Sequence, residues 1–128
     1  MPIKKAIQVS DAEAVIMQTL WERNPLSADE VISAVSSQQA WQEVTVKTLL
    51  NRLLKKGAVN ATLEGRRYFY SPVLKREQWI SAESKGFLDR MFNGKVAPLV
   101  AHFSERNKLT KADIAELKLL IKRLDDAD

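Results

Sequence analysis

The sequence predicts a mainly α protein, in which three short helices precede a two-stranded β-hairpin and further helices follow it. Three observations carry this prediction. Apolar residues recur at helical spacing over the first half of the chain, β-forming residues replace that spacing after Gly57, and the helical spacing then returns. With 128 residues, the chain has the length of one domain, or of one domain with a small appendage.

Two capping boxes mark the starts of the first two helices. Ser10-Asp-Ala-Glu13 begins a helix that we expect to run to about Glu22, and Asn24-Pro25 terminates it. Ser27-Ala-Asp-Glu30 begins the second helix, which a polar segment after Val35 ends.

The third helix is predicted to be amphipathic and basic. Thr45 is a suitable capping residue, and Gly57 suits the left-handed backbone that often ends a helix. Its buried stripe is expected to consist of Val46, Leu49, Leu50, Leu53 and Leu54. Its opposite side presents Thr48, Asn51, Arg52 and Lys55, with Lys47 and Lys56 on the flanks.

A hairpin follows the third helix. The segments 58–63 and 68–70 are rich in β-formers, Glu64-Gly-Arg-Arg67 lies between them, and Pro72 closes the second strand. Three helices and a hairpin in this order are typical of the winged helix-turn-helix fold. In that fold the third helix enters the major groove of DNA and the hairpin, or wing, lies against the neighbouring backbone.

The second half of the chain is predicted to be helical throughout. We expect helices over 75–92, ended by Asn93-Gly94, over 96–103, and from a cap at Thr110 onward. The last helix carries the apolar stripe Ile114, Leu117, Leu120, Ile121 and Leu124. The stripe continues almost to the end of the chain. It therefore favours a C-terminal helical dimerisation domain over helices that fold back on their own domain. The predicted domains are residues 1–73 and 74–128.

The charge distribution indicates an anion-binding surface in the middle of the chain. The net charge of the whole chain is +4, but residues 44–72 hold six Lys or Arg against one Glu. Arg66 and Arg67 stand at the predicted turn of the wing, where they would meet DNA backbone. A basic helix face alone is usually a solvated surface. Together with the arginine pair of the wing, it predicts DNA binding, and the alternative is a winged helix used for contact with a protein.

The composition excludes several other classes. The chain has no cysteine and a single histidine, His102, so disulfides, thiolate metal sites and a two-histidine metal pair cannot form within it. No catalytic constellation and no glycine-rich phosphate loop occurs, so we expect neither an enzyme nor a bound cofactor. No stretch has the length of a membrane span or a signal peptide, which predicts a cytoplasmic protein without membrane insertion.

Several segments together resemble the penicillinase repressor family (BlaI/MecI/CopY). The similar segments are Ser10–Trp21, Thr45–Gly57, Tyr68–Ser71, Phe87–Gly94 and Leu99–Phe103. The resemblance implies a homodimeric transcriptional repressor that binds a palindromic operator with a TACA/TGTA core. It places recognition-helix contacts on Thr45, Lys47, Thr48 and Arg52, and wing contacts on Arg66 and Arg67. We also expect Asn51 and Lys55 to contact DNA, because they lie on the same polar side of the third helix.

The resemblance also implies how repression would be relieved. A membrane-bound metalloprotease sensor would lead to cleavage in the C-terminal domain, between Asn and Phe in the family and at His102-Phe103 in this chain. Two further departures stand out: the cysteine cluster of the copper-responsive branch is absent, and Val44 replaces a lysine. The first departure excludes copper sensing through thiolates, and the second removes one phosphate contact.

Overall fold

The computed structural model describes residues 7–127. The expected lack of a leader rests partly on the first six residues, which lie outside the described range. The helices are α1 (Asp11–Glu22), α2 (Ala28–Ser36), α3 (Glu43–Lys56), α4 (Arg76–Phe92), α5 (Val96–Glu105) and α6 (Lys111–Asp126). The strands are β1 (Leu26–Ser27), β2 (Val59–Glu64) and β3 (Arg67–Pro72). The order of elements confirms the predicted winged helix followed by three more helices. Among the described residues, none of the helices combines the length and the apolar character needed to cross a membrane.

Side-chain caps fix three of the helix starts. Ser10 with Glu13, Ser27 with Glu30 and Thr110 with Asp113 each form a complete capping box, so each helix begins where the sequence predicts. Gly57, with φ 77°, ends α3 in the left-handed conformation that glycine adopts without strain.

The predicted cap of α3 at Thr45 is wrong. The helix begins two residues earlier at Glu43, after the N-cap residue Gln42, whose side chain makes no capping bond. The Thr45 amide donates to the Gln42 carbonyl at 3.0 Å, which places Thr45 inside the first turn. Trp41, just ahead of this turn, packs against the core partly exposed.

The sheet has one strand more than the predicted wing. β1 pairs antiparallel with β3, which places β3 in the centre of the order β1-β3-β2. β2 and β3 pair from Val59↔Pro72 to Glu64↔Arg67, so the turn between them consists of Gly65 and Arg66 alone. Two residues carry no readable alternation, which is why sequence periodicity missed β1.

The buried core lies in the winged helix and the residue that follows it. Helices α1, α2 and α3 and the segments around them contribute every buried hydrophobic residue of the described chain, from Ile16 to Leu74. The predicted stripe of α3 is confirmed: Val46, Leu49, Leu50 and Leu53 are buried, and Leu54 packs against them partly exposed. This core holds the basic side of α3 towards solvent.

The chain divides into two compact units, with the change from Ala82 to Glu83 inside α4. The start of α4 belongs to the first unit because Trp79 packs on Trp21, with ring centroids 5.4 Å apart. The Trp21 indole also donates to the Leu74 carbonyl at 2.9 Å. The division into domains at residue 73 stays a prediction.

The second unit has no buried residue in its helices. None of the residues of α4, α5 or α6 is buried. Ile121 and Leu124 of α6 are 57% and 65% exposed. The apolar side chains of α6 are therefore largely exposed in the described part of the chain, and a contiguous exposed apolar face often marks a surface that another molecule covers.

Candidate nucleic-acid interface and C-terminal apolar face

The solvent side of α3 presents the residues that the sequence predicts to contact DNA. Lys47, Thr48, Asn51, Arg52 and Lys55 are all exposed. Thr45 is half-buried at the edge of this surface. We call these six residues the recognition face. Its exposure follows directly from the burial of the Val46–Leu53 stripe on the other side of the helix.

Lys47 is already paired in the single chain. Its Nζ lies 2.9 Å from Oε1 of Glu43, one turn earlier on the same helix, and both side chains are more than half exposed. The hydrogen bond and charge of Glu43 raise the pKa of Lys47, and the same bond from Lys47 lowers the pKa of Glu43. Both groups are therefore ionised at neutral pH. The positive charge of Lys47, within the recognition face, is therefore balanced by Glu43, which lies one turn ahead of it.

Thr48 uses its hydroxyl partly within the helix. Its Oγ1 donates to the Val44 carbonyl at 2.9 Å, as threonine commonly does inside helices. The oxygen keeps its lone pairs, so Thr48 faces the solvent as a hydrogen-bond acceptor.

The wing carries two further cations. Arg66 occupies the turn and Arg67 begins β3, and both are exposed. Arg67 and Lys47 line one cleft of about 180 Å³, together with Ser27 at the start of α2 and Tyr68 and Tyr70 of β3. The cleft joins the recognition face to the wing in a single surface. Asp29 also lines it.

Lys56 stabilises the fold and does not belong to the surface formed by the recognition face and the wing. Its Nζ donates to the carboxylate of Glu13, which is 1% exposed, and to the Gln8 carbonyl at 2.9 Å. Burial by itself raises the pKa of Glu13, but the hydrogen bonds from Lys56 and from the Ser10 amide outweigh it and hold that pKa below its ordinary value. The bond ties the end of α3 to the start of α1.

Lys56→Met is expected to lower the free energy of unfolding by about 3 kcal/mol, because it leaves the buried Glu13 carboxylate without its cation. The depressed pKa of Glu13 means that the bond stabilises the fold fully above the ordinary value of 4.5 and loses this effect as pH falls through the folded value. Urea unfolding should therefore show the difference from wild type at pH 7 and a smaller one near pH 3. Lys55→Met, on the exposed neighbouring residue, is the control and should stay within about 0.5 kcal/mol. Equal effects of the two substitutions would contradict the role of Lys56.

The predicted dimerisation residues form a continuous apolar face. In α6, Leu117 is half-buried, whereas Ile114, Leu120, Ile121 and Leu124 are exposed. A groove of about 570 Å³ runs along α5 and α6, lined by Leu99, Val100, Phe103, Leu109, Leu117 and Leu120 among others. His102 and Phe103 lie in α5, both exposed, with their rings 6.0 Å apart.

Sequence reasoning missed the residues whose role depends on a neighbour. Glu43 immediately precedes the basic segment 44–72, yet its spacing of four from Lys47 could have indicated the ion pair. Lys56 is separated from Glu13 by 43 positions, and no local signal connects them. Ser27 was identified only as a helix cap, although it also lines the cleft with Lys47.

The chain is similar in sequence to repressors over most of its length. The sequence model described as "Penicillinase repressor" matches residues 9–123. The penicillinase repressor of Bacillus licheniformis is 37% identical over 115 residues, which is 90% of each chain. The methicillin resistance regulatory protein MecI of Staphylococcus aureus is 27% identical over 119 residues, 93% of this chain and 97% of that protein.

Two solved structures share the fold of the N-terminal part. The DNA-binding domain of the repressor BlaI aligns with a TM-score of 0.54 at 38% identity, covering 59% of this chain and 93% of that domain. The monomeric form of Bacillus licheniformis BlaI, in complex with the blaP half-operator, aligns with a TM-score of 0.52 over the same shares. Since the family match and the similarity to a repressor each span about nine-tenths of the chain, the chain belongs to the penicillinase repressor family.

Proposed function

We propose that the chain is a DNA-binding transcriptional repressor, with α3 in the major groove and the wing on the adjacent backbone. The observation that carries the proposal is the cleft that Lys47 of the recognition face and Arg67 of the wing line together. The BlaI chain of similar fold is described in complex with a half-operator, which supports the same use of the winged helix here.

The recognition face offers groups for both kinds of DNA contact. Arg52 and Asn51 carry forked donors and acceptors that suit base edges, guanine for arginine and adenine for asparagine. Lys55, Arg66 and Arg67 are exposed cations at the end of α3 and on the wing, suited to phosphates. Thr45 and Thr48 add hydroxyl groups to the surface, and Lys47 adds an exposed ammonium group that is paired with Glu43.

The repressor would act as a homodimer on a palindromic operator. The apolar face of α6 and the lack of a buried residue in α4, α5 and α6 support a second copy as its cover. Two-fold pairing would set two recognition helices about 34 Å apart, or a multiple of that distance, to match two half-sites of a palindrome.

Proteolysis in the C-terminal unit would relieve repression. The bond proposed for cleavage, His102-Phe103, lies in α5, which has no buried residue and whose flanking turns are exposed. Helices with few buried contacts open locally at low free-energy cost, which a protease needs before it can bind the backbone. A membrane-bound metalloprotease sensor is the proposed source of the signal, on the strength of the family resemblance.

Titration of labelled DNA from upstream of the gene for this chain, followed by fluorescence anisotropy, tests the function. We expect sequence-specific binding whose affinity falls by about 10³–10⁵-fold between 50 and 200 mM salt, as for a protein that neutralises roughly 6–10 phosphates. A scrambled duplex of the same length is the control. Equal affinity for both duplexes would contradict the proposal and favour a winged helix that binds proteins.

A further inference from the structure

The N-terminal end of α3 carries a negative charge, whereas the rest of its exposed side is positively charged. Glu43 is the first residue of α3, and the basic residues Lys47, Arg52 and Lys55 follow it. Asp29, in the first turn of α2, is close enough to Lys47 to contribute to its raised pKa. The N-terminal end of a recognition helix is the part that contacts base edges in helix-turn-helix proteins.

Glu43 is on the same side of α3 as three residues of the recognition face. Residues four apart follow one another along a helix, so Glu43, Lys47, Asn51 and Lys55 form a single row. Oε1 of Glu43 accepts the bond from Lys47, and the pair is the one ion pair of this carboxylate within residues 7–127. Among residues 7–127 no ion pair involves the second oxygen, Oε2, which could accept a hydrogen bond from a bound molecule.

A carboxylate at this position distinguishes phosphates, which repel it, from base edges that donate hydrogen bonds. Phosphates repel it, and the pairing with Lys47 reduces this repulsion without removing the acceptor. Among base edges in the major groove, only the exocyclic amines of cytosine and adenine donate hydrogen bonds. Adenine presents the N7 acceptor next to its amine, which would oppose a carboxylate, whereas cytosine presents its N4 amine without an acceptor on the same base.

We propose that Glu43 is a specificity-determining residue, which accepts a hydrogen bond from the N4 amine of one cytosine in each half-site while Lys47 holds its side chain in place. The proposal rests on the proposed DNA-binding function and goes beyond it by naming the base. It also gives Lys47 the role of a positioning residue, in place of a simple phosphate contact.

Selection of binding sites from randomised duplexes by the full chain tests the proposal. Wild type should select cytosine at one position of each half-site, and changing that base should weaken binding by about five- to hundredfold. In Glu43→Ala this preference should disappear at that position alone. In Glu43→Gln it should move towards adenine, because glutamine pairs with adenine N6 and N7.

Glu77→Ala is the matched control, since Glu77 is also an acidic residue in the first turn of an exposed helix, α4. It should leave the selected sequence unchanged. If Glu43→Ala instead raised affinity for all duplexes alike and kept every base preference, Glu43 would act only through its charge and the proposal would be overturned. A wild-type chain that selected no sequence at all would overturn the DNA-binding function itself, a result distinguishable from the first.

Discussion

Leu120→Asp should convert the chain to a monomer and weaken binding to an operator of two half-sites by about 10²–10⁴-fold. Leu120 is 46% exposed in the single chain, and it both lies in the apolar stripe of α6 and lines the groove beside α5. A carboxylate placed there would be buried without a partner when the second copy covers the face, at a cost of several kcal/mol. Sedimentation and operator titration on the same samples measure the two effects.

The affinity for a single half-site separates this explanation from unfolding. All the buried hydrophobic residues of the described chain lie between Ile16 and Leu74, far along the chain from Leu120, so Leu120→Asp should bind a half-site as wild type does. Ala115→Asp adds the same charge to α6 at an exposed position outside the apolar stripe and the groove, and it should leave dimer and operator binding intact. A monomeric Leu120→Asp protein with full operator affinity would refute the proposed coupling of pairing to DNA binding.

A chain truncated after His102 should reproduce the effect of Leu120→Asp. The truncation removes α6 and the end of α5, and with them the apolar stripe, but leaves the winged helix and its core in place. Operator affinity should fall to that of a single half-site, as expected if cleavage at this bond relieves repression. Retained affinity for the whole operator would show that induction by cleavage does not act through dimerisation.

Local signals in the sequence were sufficient for much of the winged helix and for the start of α6. The capping boxes at Ser10, Ser27 and Thr110 fix helix starts through side chains three residues away, and the stripe of α3 follows from helical period alone. The start of α3 could not be predicted in this way. Its N-cap residue, Gln42, makes no side-chain capping bond, so no capping signal marks this start in the sequence.

The residue types at the site could be predicted from the sequence, but the groups with which each of them pairs could not. Sequence identified the exposed cations of α3 together, whereas the structure separates them: Lys56 binds a buried carboxylate, Lys47 pairs with Glu43, and Arg52 and Lys55 are in no ion pair with another described residue. These differences arise from tertiary contacts and from exact positions on the helix. The exposed face of α6 was predicted from its period, because the pattern of apolar residues does not depend on what covers it.

Arg52→Ala should weaken operator binding by about tenfold or more and relax the preference for one base in each half-site. Arg52 is exposed on the side of α3 opposite the buried stripe, and a guanidinium in the major groove pairs with both acceptors of a guanine. Losing this contact removes discrimination at that base and leaves discrimination elsewhere unchanged. Titration of duplexes that carry each of the four bases at successive positions measures both effects.

Arg66→Ala provides the contrast, since Arg66 stands in the two-residue turn of the wing. A phosphate contact there would be independent of sequence, so this substitution should weaken all duplexes about equally and reduce the slope of log affinity against log salt by about 1 per half-site. Arg106→Ala, beyond α5, removes the same charge far along the chain from α3 and the wing, and should change neither property. If Arg52→Ala behaved like Arg66→Ala, with an equal loss on every duplex, α3 would contact the backbone only, and the base specificity of the repressor would have to come from another part of the chain.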